Sequence, residues 1–263
     1  MTWPTRVVRS GSGAPVVLVH GVGLDLGMWD ELARELGNEF ELIRYDMLGH
    51  GSTPLPAGEA GLDRYVAQLG DVLREQGLRQ PAVVGYSMGG LVAGRFAARH
   101  PGEVGKLVLM STVFRRTEAE RLAVRARLEQ AEGGDGAASA QASVARWFSP
   151  AFVEAAPGRV EAIRQRLLAN RREDFLAAYR IFAGADGVLP EAAPQILCPT
   201  LVMTGDQDTG STPRMAEELA RSIPHAALRI VPGQKHMLPV EGVTAAAAAL
   251  REFLGSGGTR RAA

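Results

Sequence analysis

Ser87 stands between two glycines in the run Val83-Val84-Gly85-Tyr86-Ser87-Met88-Gly89-Gly90, directly after a short β-branched stretch. The pattern G-x-S-x-G is that of a sharp strand-to-helix turn that pushes a serine hydroxyl into a cleft, with glycines where side chains would strike neighbouring backbone. The flanks agree with such a turn: residues 81–86 read as a buried strand and 91–99 as an alanine-rich helix. The chemistry on offer is nucleophilic attack on a carbonyl. A serine hydroxyl is a weak nucleophile at neutral pH, so the reaction needs a base to take its proton, an acid to orient that base, and donors for the oxyanion that forms.

All three have candidates, in the chain order nucleophile, acid, histidine that serine hydrolases built around such a turn use. The apolar run 201–204 leads into Gly205-Asp206-Gln207-Asp208, and the run 228–231 into Pro232-Gly233-Gln234-Lys235-His236. His236 is the expected general base, because its loop is made of turn formers near the end of the sequence. The other histidines have structural readings. His20 ends a strand and fixes the loop after it, His50 lies in the turn Gly49-His50-Gly51, His100 precedes Pro101 at a helix end, and His225 follows Pro224 in a surface loop. Asp208 is the expected orienting acid. Asp206, directly after Gly205, suits closure of its own turn, and the strand 107–110 is followed by Ser111 and Thr112 instead of a carboxylate. The expected oxyanion donors are the backbone N–H groups of Met88, next to the nucleophile, and of Val22 in the loop His20-Gly21-Val22-Gly23. That loop lacks the third glycine of a dinucleotide-binding G-x-G-x-x-G turn.

Together these residues resemble the α/β-hydrolase superfamily, from the strand near Val16 to the helix ending near Leu254. Within it the chain looks like the small bacterial hydrolases grouped around 3-oxoadipate enol-lactonase. The resemblance is carried by Arg44-Tyr45-Asp46-Met47-Leu48-Gly49-His50-Gly51, Gly85-Tyr86-Ser87-Met88-Gly89-Gly90, Arg146-Trp147-Phe148-Ser149-Pro150 and His236-Met237-Leu238-Pro239. Leu48 stands where that group more often has arginine. Serine at position 87 separates the chain from the related haloalkane dehalogenases and epoxide hydrolases, whose nucleophile is a carboxylate. The resemblance implies an α/β-hydrolase fold: a mostly parallel central sheet covered by helices on both faces, with an inserted helical cap.

The elements that must position these residues are visible as a rhythm. Segments 16–19, 28–36, 41–45, 62–76, 82–86, 91–99 and 106–110 alternate strand-like and helix-like character, as a parallel sheet covered on both faces does. Val16-Val17-Leu18-Val19 and Leu107-Val108-Leu109-Met110 are apolar throughout, which burial on both faces predicts. Ligands in such sheets bind beyond the carboxyl ends of the strands, where every expected catalytic residue falls. The rhythm breaks over 113–194, which is rich in alanine, arginine and glutamate. Helical spacing appears there at 118–130, 160–169 and 174–182, with a flexible piece at Glu132-Gly133-Gly134-Asp135-Gly136. This segment reads as the cap, inserted in a core of residues 1–112 and 195–263. The core resumes at Thr200 with a strand, a helix over 212–222, another strand and a closing helix over 243–254; the tail from Gly255 reads as disordered. A cap excludes water and touches substrate. Trp147 and Phe148 are candidates for its apolar wall, and Arg146 for a bidentate hold on a substrate carboxylate. Most of the other arginines there, including Arg115, Arg116, Arg121 and Arg180, read as solvated helix faces.

Composition limits the partners. The 263 residues carry 29 Lys+Arg and 29 Asp+Glu, so no general attraction to nucleic acid or to an anionic membrane is expected. Residues 1–6 lack the apolar core of a signal peptide, and no run has the length of a membrane span. Cys198 is the one cysteine; it has no internal disulfide partner, reads as a small hydrophobe at a strand entrance, and fits a cytoplasmic location. The expected activity is cleavage of an ester or lactone bond in a small carboxylate-bearing metabolite through an acyl-enzyme on Ser87, with no metal or organic cofactor. Nothing in the residues sets an oligomeric state. The same residues would serve an amidase of unsaturated dicarboxylate amides, a hydrolase of carbon–carbon bonds in diketones, an acyl transferase, or a ligand-sensing relative that binds without turnover.

Overall fold

The computed structural model describes residues 3–58 and 61–255; the tail beyond Gly255, read above as disordered, lies outside the described residues. Strands β1 (Val7–Gly11), β2 (Ala14–Val19), β3 (Phe40–Tyr45), β4 (Ala82–Tyr86), β5 (Lys106–Met110), β6 (Thr200–Gly205) and β7 (Ala226–Val231) form one sheet in the order β1-β3-β2-β4-β5-β6-β7. Every neighbouring pair is parallel except β1 and β3. The central strands are apolar on both faces because both are covered. Val17, Leu18, Val19, Val83, Val84 and the run Leu107 to Met110 are fully buried. β1 was not legible in the sequence. Its Val-Val-Arg-Ser-Gly run is short and mostly half-exposed, as an edge strand is.

The core helices are α1 (Asp30–Leu36), entered through a 3-10 turn at Leu26–Trp29, then α2 (Leu62–Glu75) and α3 (Met88–Arg99). Six helices lie between β5 and β6: α4 (Glu118–Gly133), α5 (Gly136–Trp147), α6 (Pro150–Ala155), α7 (Pro157–Leu168), α8 (Arg172–Ala183) and α9 (Val188–Ala192). The core then closes with α10 (Pro213–Ser222) and α11 (Val243–Gly255). Alternation along the strands sends side chains to two cores. Val17, Val19 and Val83 pack with α2, α3 and α10, while Val16, Leu18 and Val84 pack with α1 and α11.

The expected flexible piece at 132–136 is mostly helix. α4 runs through Gly133, the chain breaks at the extended Gly134, and Asp135 starts α5 by accepting from the Ala137 N–H at 3.0 Å. Ser149 caps α6 in the same way, accepting from the Phe152 N–H at 3.1 Å with Pro150 in the first turn. These caps are local signals. The bodies of α5 and α6 escaped notice because their alanine-rich faces give little apolar periodicity. Cys198 sits half-buried before β6, and burial raises its thiol above the ordinary range. No helix among the described residues is long and apolar enough to cross a membrane.

Candidate active site

Ser87 lies between the end of β4 and the start of α3 with φ 51 and ψ −115, a backbone region that costs a non-glycine residue roughly 1–3 kcal/mol. The glycines around it make the turn possible. A Cβ on Gly85 would lie 2.4 Å from the Gly89 carbonyl oxygen, and one on Gly89 would lie 2.3 Å from the Val19 carbonyl oxygen. Strand and helix can meet at this angle only without those atoms. Hydrogen bonds to the end of β5 hold the strained residue: Ser87 N–H donates to the Met110 carbonyl at 2.9 Å, and the Thr112 hydroxyl donates to the Ser87 carbonyl at 2.8 Å.

Asp208 and His236 come from the loops after β6 and β7, and both are buried. His236 Nδ1 lies 2.7 Å from Asp208 Oδ2. The other carboxylate oxygen accepts from the backbone N–H groups of Gly210 and Ser211 at 2.8 and 2.9 Å, which locks the rotamer that faces the imidazole. Tyr86 and Trp147 flank the ring, with centroids 5.2 and 5.8 Å from it. Nδ1 is engaged by Asp208, and His236 and Ser87 line the same cavity. Asp206 is exposed and its N–H donates to the Val231 carbonyl, so it serves the turn.

The loop after β2 closes on Ser87. A Cβ on Gly21 would lie 3.2 Å from Ser87 Cβ, and the next residue, Val22, lines the cavity. Met88 opens α3, so its N–H is among those that lack an intrahelical acceptor. Beneath this loop two histidines are buried. His20 Nδ1–H donates to the Gly21 carbonyl at 2.8 Å while Nε2 accepts from the Met47 N–H at 2.9 Å, which fixes a neutral tautomer. His50 meets it edge-on at 5.1 Å. Burial lowers His20 to about 4 and His50 to about 3, the latter helped by repulsion from His20. Asp46 completes the support, accepting from the Leu26 and Ser52 N–H groups at 2.9 and 2.8 Å.

The inserted helices supply the opposite wall. Trp147 and Arg146 line the cavity, whereas Phe148 is buried and stacks on Phe152 at 5.4 Å; it packs helices and does not face the cavity. Three arginines line the cavity, Arg116, Arg127 and Arg146. Arg116 is buried and pairs with Asp186 at 2.8 Å. Among the described residues neither Arg127 nor Arg146 pairs with a carboxylate. Arg146 reaches only the Ala142 carbonyl and the Ser143 hydroxyl, both at 3.5 Å, and lies over the Trp147 ring. Burial lowers Arg146 below its ordinary value, and repulsion from Arg127 adds to this. Sequence reasoning missed Arg127, which looks like any other charge on α4; only the chain's path shows where it points. Arg121 and Arg180 pair with Glu118 and Glu132 on the surface.

Residues 14–243 match the family model for the alpha/beta hydrolase fold. Over 230 residues the chain is 29% identical to the (E)-2-((N-methylformamido)methylene)succinate hydrolase of Acinetobacter baylyi, covering 88% of this chain and 86% of that one. It is 28% identical to 3-oxoadipate enol-lactonase 2 of the same organism, covering 82% and 79% of the two chains. Among solved structures, a malate-bound thermophilic esterase from Thermogutta terrifontis superposes with a TM-score of 0.87 at 29% identity, covering 97% of this chain and 94% of that one. With a matching family model over most of its length and hydrolases among its relatives, the chain belongs to the alpha/beta hydrolase family and is a hydrolase of that family.

Proposed function

We propose that the protein is a serine hydrolase that cleaves an ester or lactone bond of a small carboxylate-bearing metabolite. Ser87 is the nucleophile, His236 the general base, Asp208 the acid that orients it, and the Val22 and Met88 N–H groups form the oxyanion hole. Residues 113–194 act as a cap over a core of 1–112 and 195–263. His236 takes the Ser87 proton as Oγ bonds to the carbonyl carbon, and the oxygen of that carbonyl gains its charge between the two N–H groups. On collapse His236 returns the proton to the departing oxygen and leaves an acyl-enzyme. Water, deprotonated by His236, then releases the acid and restores Ser87.

The observation that carries this reading is one cavity lined by a serine in a strained turn, an Asp–His pair at 2.7 Å and two arginines with no carboxylate partner. Two unneutralised cations beside a carbonyl-attacking serine call for an anionic substrate. A second reading, hydrolysis of the amide of an unsaturated dicarboxylate, is favoured by the same pair of cations and by the succinate in the name of one relative.

The test is kcat/KM on a carboxylated enol-lactone, a carboxylated ester, its neutral analogue and an unsaturated dicarboxylate amide, with Ser87→Ala as background. The expected result is a preference of at least tenfold for the carboxylated ester or lactone, lost in Ser87→Ala. Preference for the amide selects the second reading, and wild-type turnover in Ser87→Ala overturns the serine mechanism.

A further inference from the structure

The cavity at Ser87 measures about 60 Å³, far below the roughly 300–1,000 Å³ of small-molecule sites. A substrate seated on Ser87 must therefore extend beyond it. A second cavity of about 270 Å³ lies among the inserted helices, walled by Ala131 at the end of α4, Ala140 on α5, Leu168 on α7 and Arg172 on α8. The two cavities share Ser143, Leu167 and Phe175. Leu167 and Phe175 also cover Gly23, next to Val22: a Cβ on Gly23 would lie 3.0 Å from Leu167 Cδ2 and 2.9 Å from Phe175 Cε2. Rotatable apolar side chains thus border both cavities.

The chemistry of the second cavity differs from that of the first. Neither Arg127 nor Arg146 reaches it. Its larger polar side chains are engaged with backbone: Arg172 donates to the carbonyls of Glu132 and Gly134 at 2.6 and 3.1 Å, and Asn170 donates to the Gly23 carbonyl at 2.7 Å, while the small Ser143 at the border of the two cavities accepts from Arg146 at 3.5 Å. We propose that this cavity is an apolar subsite of the active site, taking an unbranched hydrocarbon arm of the substrate while the arginines hold its anionic end. The substrate is then a carboxylate with a hydrocarbon arm, and Phe175 and Leu167 set the arm's length. Each methylene of that arm taken out of water adds to binding, so chain-length preference is the direct readout.

The proposal rests on Ser87 as the acylated residue. The experiment compares kcat/KM on p-nitrophenyl acetate and hexanoate, where the acyl group varies, and on methyl and hexyl succinate monoesters, where the alcohol varies. Wild type should prefer the longer member of one series at least fivefold, and that series tells which part of the substrate enters. Ala140→Phe, which fills the cavity, should cut this ratio at least fivefold, whereas Phe175→Ala, which shortens a side chain bordering both cavities, should raise it. Ratios that move less than fivefold in Ala140→Phe and fail to rise in Phe175→Ala overturn the subsite, and the second variant decides alone if the first does not fold. Binding of hexanoate against acetate to Ser87→Ala, followed by thermal shift, needs no turnover. A hexanoate advantage erased by Ala140→Phe sustains the subsite even if no ester is hydrolysed, which would sink the serine-hydrolase reading instead.

Discussion

The side chain of Ser87 is proposed to do the chemistry, but its backbone carries a cost that can be measured. At φ 51 a serine is strained and a glycine is not. Ser87→Gly and Ser87→Ala both remove the hydroxyl, so both should lose turnover, and they should part in stability. Alanine keeps the strain. Glycine relieves roughly 1–3 kcal/mol of it and gives back about 0.5–1 through the freedom it gains in the unfolded chain. Ser87→Gly should therefore unfold a few degrees above Ser87→Ala, as a difference near 1 kcal/mol predicts for a domain of about this size. Equal midpoints, or a higher one for alanine, would mean that the turn stores no strain. At the same scale Arg146→Gln should lower the preference for a carboxylated ester over its neutral analogue about tenfold, with little effect on the neutral ester. An unchanged ratio of the two kcat/KM values would remove Arg146 from substrate recognition.

At the scale of elements, the loops after β2 and β3 rest on His20 and His50, and this gives the protein an acid limit. Both histidines are held neutral by burial, at about 4 and about 3, against 6.5 in an unfolded chain. Between those values the unfolded chain binds more protons than the folded one, so stability rises with pH there and falls as pH drops from 6.5. Down to pH 5 each histidine can cost up to about 2 kcal/mol by this linkage. The unfolding midpoint should fall between pH 7 and 5 and level off above 7, and His50→Gln should make the fall shallower by about one proton. A flat profile across that window would mean that the imidazoles are not held neutral. The same elements show what the sequence could reveal. That Ser87, Asp208 and His236 come to one cavity was legible because a strained turn and two strand-end loops demand particular residue types at particular spacings. The central strands were legible because burial on both faces makes them apolar throughout. β1, α5, α6 and α9 were not, since an edge strand and short alanine-rich helices carry weak periodicity. Arg127 and the displacement of Phe148 from the cavity were invisible for a different reason. Which face of a helix looks inward in the inserted segment is decided by tertiary packing, to which local pattern is blind.

Across the whole molecule, the inserted helices and the core meet at several places, and one of them is a short loop that both hold, which makes the two interdependent. From the core, Asp46 accepts from the Leu26 N–H, and Leu24 N–H donates to the Gly21 carbonyl. From the inserted side, Asn170 donates to the Gly23 carbonyl at 2.7 Å, while Arg166 pairs with Asp25 at 3.0 Å and with Asp30 at 3.4 Å. Asp25 in turn accepts from the Gly27 N–H at 2.7 Å. Residues 22–25 are thus clamped between the two parts, and the proposed donor Val22 is one residue from the Asn170 contact. A half-exposed ion pair such as Arg166–Asp25 contributes little to stability, roughly 0–1 kcal/mol, and less in salt. The Asn170 hydrogen bond is worth about 1 kcal/mol, but its larger effect should be on where the Val22 N–H points. Complete loss of one oxyanion donor costs about 10²–10³ in rate, so a displaced donor should cost a fraction of that. Asn170→Ala should lower kcat about tenfold with KM nearly unchanged and the midpoint down by only a few degrees. Arg166→Ala should do less, since Asn170 still holds the loop, and the pair together should approach the loss of a donor. If Asn170→Ala instead raises KM at constant kcat, the inserted helices act on substrate binding alone and the loop keeps its geometry without them.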